Sequence, residues 1–294
     1  MIELERDVPL AKLTTIGTGG LPTALARPRT VAELKDVLRH ARDEGLPVHV
    51  VGLGSNVLAA DQGLDAVVVR LEGELAAVSV DGDVLRAGGG AANAVCLHRA
   101  RDAGLGGFEF ACAIPGTAGG GVFMNAGAYG RDWSEILVRA LVVSAEREEW
   151  RTPSELRLAY RHSGLVPGEV VAGVEYRLDP RSPDEIRATV AELIARRKAT
   201  QPTNKRTFGS VFKNPPGDAG AGRMLELCGL KGFRSGGAQI SPKHANFVEN
   251  AGGATSADCV AVMAEARRRA HVEFGVELQR EVVFLGLPEL PSLT

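Results

Sequence analysis

The segment Ile114-Pro115-Gly116-Thr117-Ala118-Gly119-Gly120-Gly121-Val122-Phe123-Met124-Asn125-Ala126-Gly127-Ala128-Tyr129-Gly130 decides how this chain is read. Six of its residues are glycine, and Gly119, Gly120 and Gly121 are consecutive. Glycine loses more conformational freedom on folding than any other residue, so such density implies positive φ angles or backbone that must approach a ligand. The residues around the glycines are apolar (Ala111, Ile114, Val122, Phe123, Met124), unlike the serines and charges of a flexible linker. The segment therefore reads as a buried loop whose amides face something large and polar, such as a cofactor's pyrophosphate. A tight turn without a ligand is the plainer alternative.

Toward the N-terminus, Thr30-Val31-Ala32-Glu33 is a capping box. It opens a helix to about Asp43, with Val31, Leu34, Val37 and Leu38 on one face. Pro47–Val51 reads as a buried strand that ends in Gly52-Leu53-Gly54-Ser55-Asn56. This loop lacks the third glycine of a Rossmann fingerprint and the Lys-Ser/Thr of a Walker loop. It also runs on into a second strand, Ala66–Leu71, and not into a long helix. A nicotinamide Rossmann domain is disfavoured, although free amides in such a loop could still hold phosphates. Val78–Arg86 is a hairpin around Asp81-Gly82, and a helix from about Ala92 to Ala103 follows Gly88-Gly89-Gly90.

Toward the C-terminus, Leu137–Ala145 and Val170–Leu178 read as strands, the second preceded by the polar motif Tyr160-Arg161-His162-Ser163-Gly164. Ser182-Pro183-Asp184-Glu185 starts a helix to about Lys198. Arg196, Arg197, Lys198, Lys205 and Arg206 cluster here; a solvated helix end whose cations complement the dipole explains the first three, and a role for some of the five near an anionic substrate is the less favoured reading. The polar stretch Thr200–Arg206 is the best domain boundary. Beyond it come Thr207–Pro215, a short helix from Gly222 to Cys228 closed by Gly229, short strands at 236–240 and 246–248, a helix from Ser256 to about Phe274, and a closing strand Val276–Leu285.

With 294 residues, 45% hydrophobic and 24% charged, the chain has the composition of a soluble globular protein of two or three domains. A net charge of −2 disfavours a nucleic-acid surface. No apolar run approaches the roughly 20 residues of a membrane span, and the charged start is no secretory signal, so a cytoplasmic location is expected. Cys96, Cys112, Cys228 and Cys259 form no C-x-x-C pair, and disulfides are not expected. The six histidines show no metal-ligand spacing, and no metal is expected.

Gly52-Leu53-Gly54-Ser55-Asn56, the Ile114–Gly130 segment, Tyr160-Arg161-His162-Ser163, Gly209-Ser210-Val211-Phe212-Lys213-Asn214-Pro215 and Glu281-Val282-Val283-Phe284 stand in one order along nearly the whole chain. As an ordered set they resemble the UDP-N-acetylenolpyruvoylglucosamine reductases, also called UDP-N-acetylmuramate dehydrogenases, in the family's compact form. The resemblance implies an α+β fold: a vanillyl-alcohol-oxidase-type FAD-binding region in two parts, residues 1–75 and 76–200, followed by a smaller α/β substrate domain, 201–294. It implies NADPH as hydride donor and a UDP-sugar as substrate, in bacterial cell-wall precursor synthesis. A monomer is expected.

The chemistry then assigns roles. The flavin carries the hydride, and the protein must position, stabilise and protonate. Arg161 matches the family's cation, whose planar fork suits a carboxylate in which charge develops. Ser210 matches the proton donor, with Lys213 or a water as a possible assistant. Glu281 matches the third catalytic position and must be protonated or hydrogen-bonded to approach a substrate carboxylate. FAD contacts are expected from Gly52, Gly54, Ser55, Asn56, Ile114, Pro115, Gly116, Thr117, Gly119, Gly120, Asn125 and Gly127. Substrate contacts are expected from Tyr160, Lys213, Asn214, Lys231 and His244. Singly, Ser210 reads as well as a turn residue and Glu281 as an outward strand position. The ordered motifs favour catalysis. The N-terminal Thr14-Thr15-Ile16-Gly17-Thr18-Gly19-Gly20 departs from the family's usual Thr-Thr-Phe-Arg-Ile-Gly-Gly, so no FAD contact is carried onto it. Two alternatives remain: another FAD-linked oxidase of this fold, or an inactive UDP-sugar-binding protein. No histidine lies in either glycine loop, which speaks against covalent flavin attachment there.

Overall fold

Local signals set the helices. Thr30 Oγ1 accepts the Glu33 amide at 3.2 Å and starts α1, Val31–Asp43. Leu34, Val37, Leu38 and Ala41 are its buried face. The remaining helices in the computed structural model, which describes residues 3–293, are α2 (Asn93–Asp102), α3 (Ala118–Phe123), α4 (Pro183–Thr200), α5 (Ala221–Leu227) and α6 (Ser256–Phe274). A capping box between Thr255 and Asp258 starts α6, and Gly275 ends it at φ 67°.

The chain divides into two units that are not contiguous in sequence. The first holds residues 3–5, Ala24–Leu53 and Ala66–Arg197, and the second holds Arg6–Thr23, Gly54–Asp65 and the chain from Lys198 onward. The first contains a four-stranded sheet, all but the first two residues of its second and third strands, in the order Leu4–Glu5, Pro22–Ala26, Leu64–Val69, Val48–Val50, the last two parallel. The side chains of α1 pack on Val67 and Val69 and on Val143 and Val170 from a second sheet. That second sheet is antiparallel, in the order Glu148–Arg151, Leu137–Val143, Val170–Arg177, Val84–Gly88, Val78–Asp81. The expected hairpin forms its edge, with Gly82 at φ 60°. Glu175, nearly buried on this sheet, takes hydrogen bonds from Arg139 and Arg86, and the two guanidiniums hold its carboxyl below the usual carboxylate range.

The triple glycine is a correction to the sequence reading. Gly119–Gly121 lie inside α3 and not in a loop, with Thr117 as N-cap. Helical glycine is unfavourable by about 1 kcal/mol relative to alanine, so packing must compensate. A Cβ on Gly121 would stand 2.5 Å from the Trp133 ring, and one on Gly119 would stand 2.9 Å from the carbonyl oxygens of Gly89 and Val171. Both positions are buried, and the bare helix flank lets the aromatic core reach the backbone. In that core Trp133 donates to the Tyr176 hydroxyl at 2.6 Å, and Phe108 and Phe110 pack edge-on to Trp133.

The second unit carries an antiparallel sheet, Thr207–Ser210, Phe247–Asn250, Ala238–Ile240, Arg234–Ser235. Phe208, Val248, Met224, Leu225, Val262 and Met263 share its core with residues of α5 and α6. The closing strand is shorter than expected: only Val283–Leu285 is a strand, parallel to Val57–Ala59. The residues before it make single bridges instead, with the Lys213 amide bonded to Gln279 O and the Glu281 amide to Val211 O, both at 2.8 Å.

The four cysteines are unpaired. Burial pushes the thiols of Cys96 and Cys259 up to about 12, as befits small core hydrophobes. Among the described residues there is no metal-binding group of side chains and no helix long and apolar enough to cross a membrane.

Candidate active site

In the first unit the two glycine loops meet. A Cβ on Gly52 would lie 2.6 Å from Thr117 Oγ1, so only glycine admits this approach. The segment Ala91–Asn93 backs the second loop. The Asn93 amide donates to Gly116 O at 3.0 Å, its Nδ2 to Ile114 O at 3.2 Å, and the Ala118 amide to Ala91 O at 2.8 Å. Among the described residues the amides of Gly52, Leu53, Gly116 and Thr117 meet no acceptor. Four adjacent N–H groups left over by the fold form an anion cradle. Leu53 and Phe123 are large apolar side chains exposed near the two loops, at 40% and 46%. Gly119 and Asn125 are hydrogen-bonded within the protein. The Gly119 amide is taken by Gly89 O, while the buried Asn125 side chain donates to Ala159 O and accepts from the Ser134 amide. Gly120 is exposed on α3, its amide 3.4 Å from Thr117 Oγ1, and Pro115 lies exposed before it.

Arg161 stands in the same unit, at the turn closed by the Ala159–His162 bridge, with φ 53°. Its guanidinium donates to Gly127 O at 2.7 Å and to Asn125 O at 3.4 Å, and lies 4.9 Å from the centre of the half-exposed Tyr160 ring. Arg197, expected among solvated cations, turns inward toward Tyr129 and Cys112, and burial pulls its pKa down. Arg196 lies over the Tyr129 ring, whose hydroxyl donates to Leu193 O.

In the second unit, Gly54 sits at φ 63° against the Leu13 carbonyl, where a Cβ would stand 2.0 Å from the oxygen. Its amide also meets no acceptor among the described residues. Thr15 ties this loop to the strand of Ser210, its amide donating to Gly54 O at 3.1 Å and its hydroxyl to Thr207 O at 2.6 Å. The divergent 14–20 segment thus braces the loop. Ser210 ends its strand after a bulge at Gly209, φ 81°. The next residues run beside Gln279–Glu281, so Ser210 and Glu281 stand on neighbouring segments joined by backbone hydrogen bonds. Asn56 Nδ2 donates to Glu281 O at 3.3 Å, and Asn56 O accepts the Val283 amide. Buried Asn246 holds the other side: its amide side chain pairs with both the N–H and the C=O of Phe212, at 3.0 and 2.8 Å.

The substrate-contact candidates divide. Lys213 is half-buried three residues after Ser210. Asn214 accepts the Ala221 amide at 3.0 Å at the start of α5. His244 packs over Gly222, whose added Cβ would meet its ring at 2.6 Å, and burial lowers its pKa. Lys231 is exposed and paired with Glu226 at 2.7 Å.

Residues 201–285 match the family described as UDP-N-acetylenolpyruvoylglucosamine reductase, C-terminal domain, and residues 22–152 match the FAD binding domain. UDP-N-acetylenolpyruvoylglucosamine reductase 2 of Symbiobacterium thermophilum is 43% identical over 96% of this chain and 92% of its own. The chain belongs to the UDP-N-acetylenolpyruvoylglucosamine reductase family. The reductase of Novosphingobium aromaticivorans is 42% identical over 97% of this chain and 96% of its own. A crystal structure of the Thermus caldophilus reductase superposes with a TM-score of 0.85 at 35% identity, covering 97% of this chain and all of that one. As a reductase of this family with an FAD-binding domain, the chain is an FAD-dependent oxidoreductase of α+β fold. The acceptorless amides of Gly52, Leu53, Gly116 and Thr117 in the first unit fit such a cofactor, because a dinucleotide diphosphate supplies the missing acceptors.

Sequence reasoning missed Asn246 and Asn93. Gly88-Gly89-Gly90 was the visible signal for Asn93, since a backbone that must lie against another often carries glycine. Nothing local signals Asn246.

Proposed function

We propose that this chain reduces the enolpyruvyl ether of UDP-N-acetylglucosamine enolpyruvate to UDP-N-acetylmuramate, with NADPH as reductant, as a step toward peptidoglycan precursors. FAD, when bound, would carry the hydride from NADPH to the terminal enol-ether carbon. Arg161 takes the substrate carboxylate and stabilises the charge that develops beside it, with its fork oriented by the carbonyls of Asn125 and Gly127. Ser210 Oγ delivers a proton to the adjacent carbon. Glu281 faces the same chemistry from the neighbouring segment, with its backbone fixed by Val211 and Asn56. Lys213 assists Ser210 as a nearby cation, Tyr160 and Asn214 contact the sugar nucleotide, and Lys231 and His244 line the outer part of its site. The loop residues Gly52, Gly54, Ser55, Asn56, Ile114, Pro115, Gly116, Thr117 and Gly120 form the cofactor's bed.

The observation that carries this reading is the adjacency of the Ser210 and Glu281 segments, set by the 2.8 Å bond from the Glu281 amide to Val211 O. Separate measurement of the two half-reactions tests it. Ser210→Ala leaves flavin reduction by NADPH fast and slows reoxidation by the enolpyruvyl substrate by about 100- to 10,000-fold. Reoxidation at the wild-type rate would remove Ser210 as the acid.

A further inference from the structure

Arg161 adopts a backbone conformation that its own side chain does nothing to favour. A left-handed φ costs an ordinary residue about 1–2 kcal/mol, and it persists only where the surroundings over-determine it. Among the described residues Asn125, Tyr129 and Arg157 share this property, and Asn125 does so at φ 37° with 1% exposure. Asn125 and Arg161 are linked in both directions. Asn125 Nδ2 donates to Ala159 O at 3.1 Å, at the start of the turn that carries Arg161. Arg161 returns two bonds, to the carbonyls of Asn125 and Gly127. Ser163 closes the far side of the turn, donating to Phe123 O at 2.7 Å. Asn125 Oδ1 is fixed in turn by the Ser134 amide at 3.0 Å. Both polar ends of the Asn125 side chain are thus committed inside the protein.

Resting on the reading of Arg161 as the carboxylate-binding cation, we propose that Asn125 is its positioning residue. Segments 123–127 and 159–163 form a reciprocal clamp. The amide donor of Asn125 holds the turn in its left-handed form, and the carbonyls of Asn125 and Gly127 then set the plane of the guanidinium fork. Guanidinium recognition of a carboxylate is bidentate and planar, so orientation matters as much as charge. Without the Nδ2 donor, Ala159 O keeps only the His162 amide of its own turn, at 3.0 Å, and the turn loses its tie to segment 123–127 and relaxes. The arginine stays charged but loses its fixed plane.

Asn125→Asp replaces the Nδ2 donor with a second oxygen, adding a carboxyl group at a buried position, and keeps Oδ1 and the tolerance for positive φ. Asn125→Gly removes the side chain while permitting the same backbone, and serves if the aspartate variant does not fold. Either variant slows flavin reoxidation by substrate about 10- to 100-fold and weakens binding of UDP-N-acetylmuramate in calorimetry. Flavin reduction by NADPH and FAD content stay at wild-type values. In an Arg161→Ala background the Asn125 substitution causes no further loss, because its effect runs through Arg161. Wild-type reoxidation in the Asn125 variants, with Arg161→Ala slow, overturns the clamp and leaves the role of Arg161 standing. A loss of equal size in the Arg161→Ala background overturns it too. Full-rate reoxidation by Arg161→Ala itself removes both the catalytic role of Arg161 and the clamp.

Discussion

The turn that carries Arg161 and the strand that carries Ser210 are built by opposite means. Arg161 projects from irregular backbone, at φ 53°, and is held by side-chain bonds between two loops. Ser210 ends a strand paired with Phe247 and continues into segments bonded to Asn246 and Gln279–Glu281. The first arrangement depends on a few particular atoms, whereas the second spreads its geometry over a backbone ladder that most side chains would satisfy. Orientation of a planar cation needs the former, while an exchangeable proton needs only a hydroxyl at the right place.

The largest effect expected from this contrast is the loss at Ser210→Ala described above, with the melting temperature unchanged, because the ladder does not use the hydroxyl. A substantial drop in melting temperature would show that the strand also depends on that side chain. Next comes Asn246→Ala. It leaves the buried N–H and C=O of Phe212 unpaired and destabilises by about 2–4 kcal/mol, read by denaturant unfolding. A cost below 1 kcal/mol would mean that water replaces the amide and the ladder is looser than drawn. Arg161→Lys keeps the charge but loses the fork, and slows reoxidation about 10- to 100-fold with little change in stability. A fully active lysine variant would reduce the turn to a simple carrier of charge.

The smallest effect is at Glu175, a purely structural carboxylate between Arg139 and Arg86. Its pKa in the folded state is depressed, so its contribution is complete above the unfolded carboxylate pKa and fades as pH falls through the folded one. Glu175→Gln lowers Tm by roughly 1–3 °C at pH 7, the arginines being solvent-exposed. The difference from wild type shrinks below about pH 4. A gap that stays constant down to pH 3 would show that packing, not charge, is what the substitution removes.

Features legible in the sequence were those written within a few residues. Thr30 with Glu33, Asp81-Gly82 and the Ser256–Phe274 periodicity gave two helices and a hairpin close to their observed limits. The glycine segment was legible as important but misread in form, because glycine density signals a loop unless the bulky partner, here Trp133, is known. The closing strand was read too long because an apolar run cannot reveal that Gln279–Glu281 pair by single bridges with residues near 212. Asn246 was illegible because its partner lies 34 residues away and a lone asparagine in Ala-Asn-Phe has no periodic signature. Arg161, Ser210 and Glu281 were singled out as candidates through the order of whole motifs. No local chemistry distinguishes that serine or that glutamate from its neighbours.

The parallel pair Val57–Ala59 and Val283–Leu285 has a consequence for biosynthesis. The sheet contains these two strands alone among the described residues, so Val57–Ala59 has no other ladder partner. A ribosome adding about 5–20 residues per second makes the second strand roughly 10–45 s after the first. Through that interval a short apolar edge, with Leu58 wholly buried in the finished protein, stays unpaired. The second unit cannot be completed before Val283–Leu285 is made.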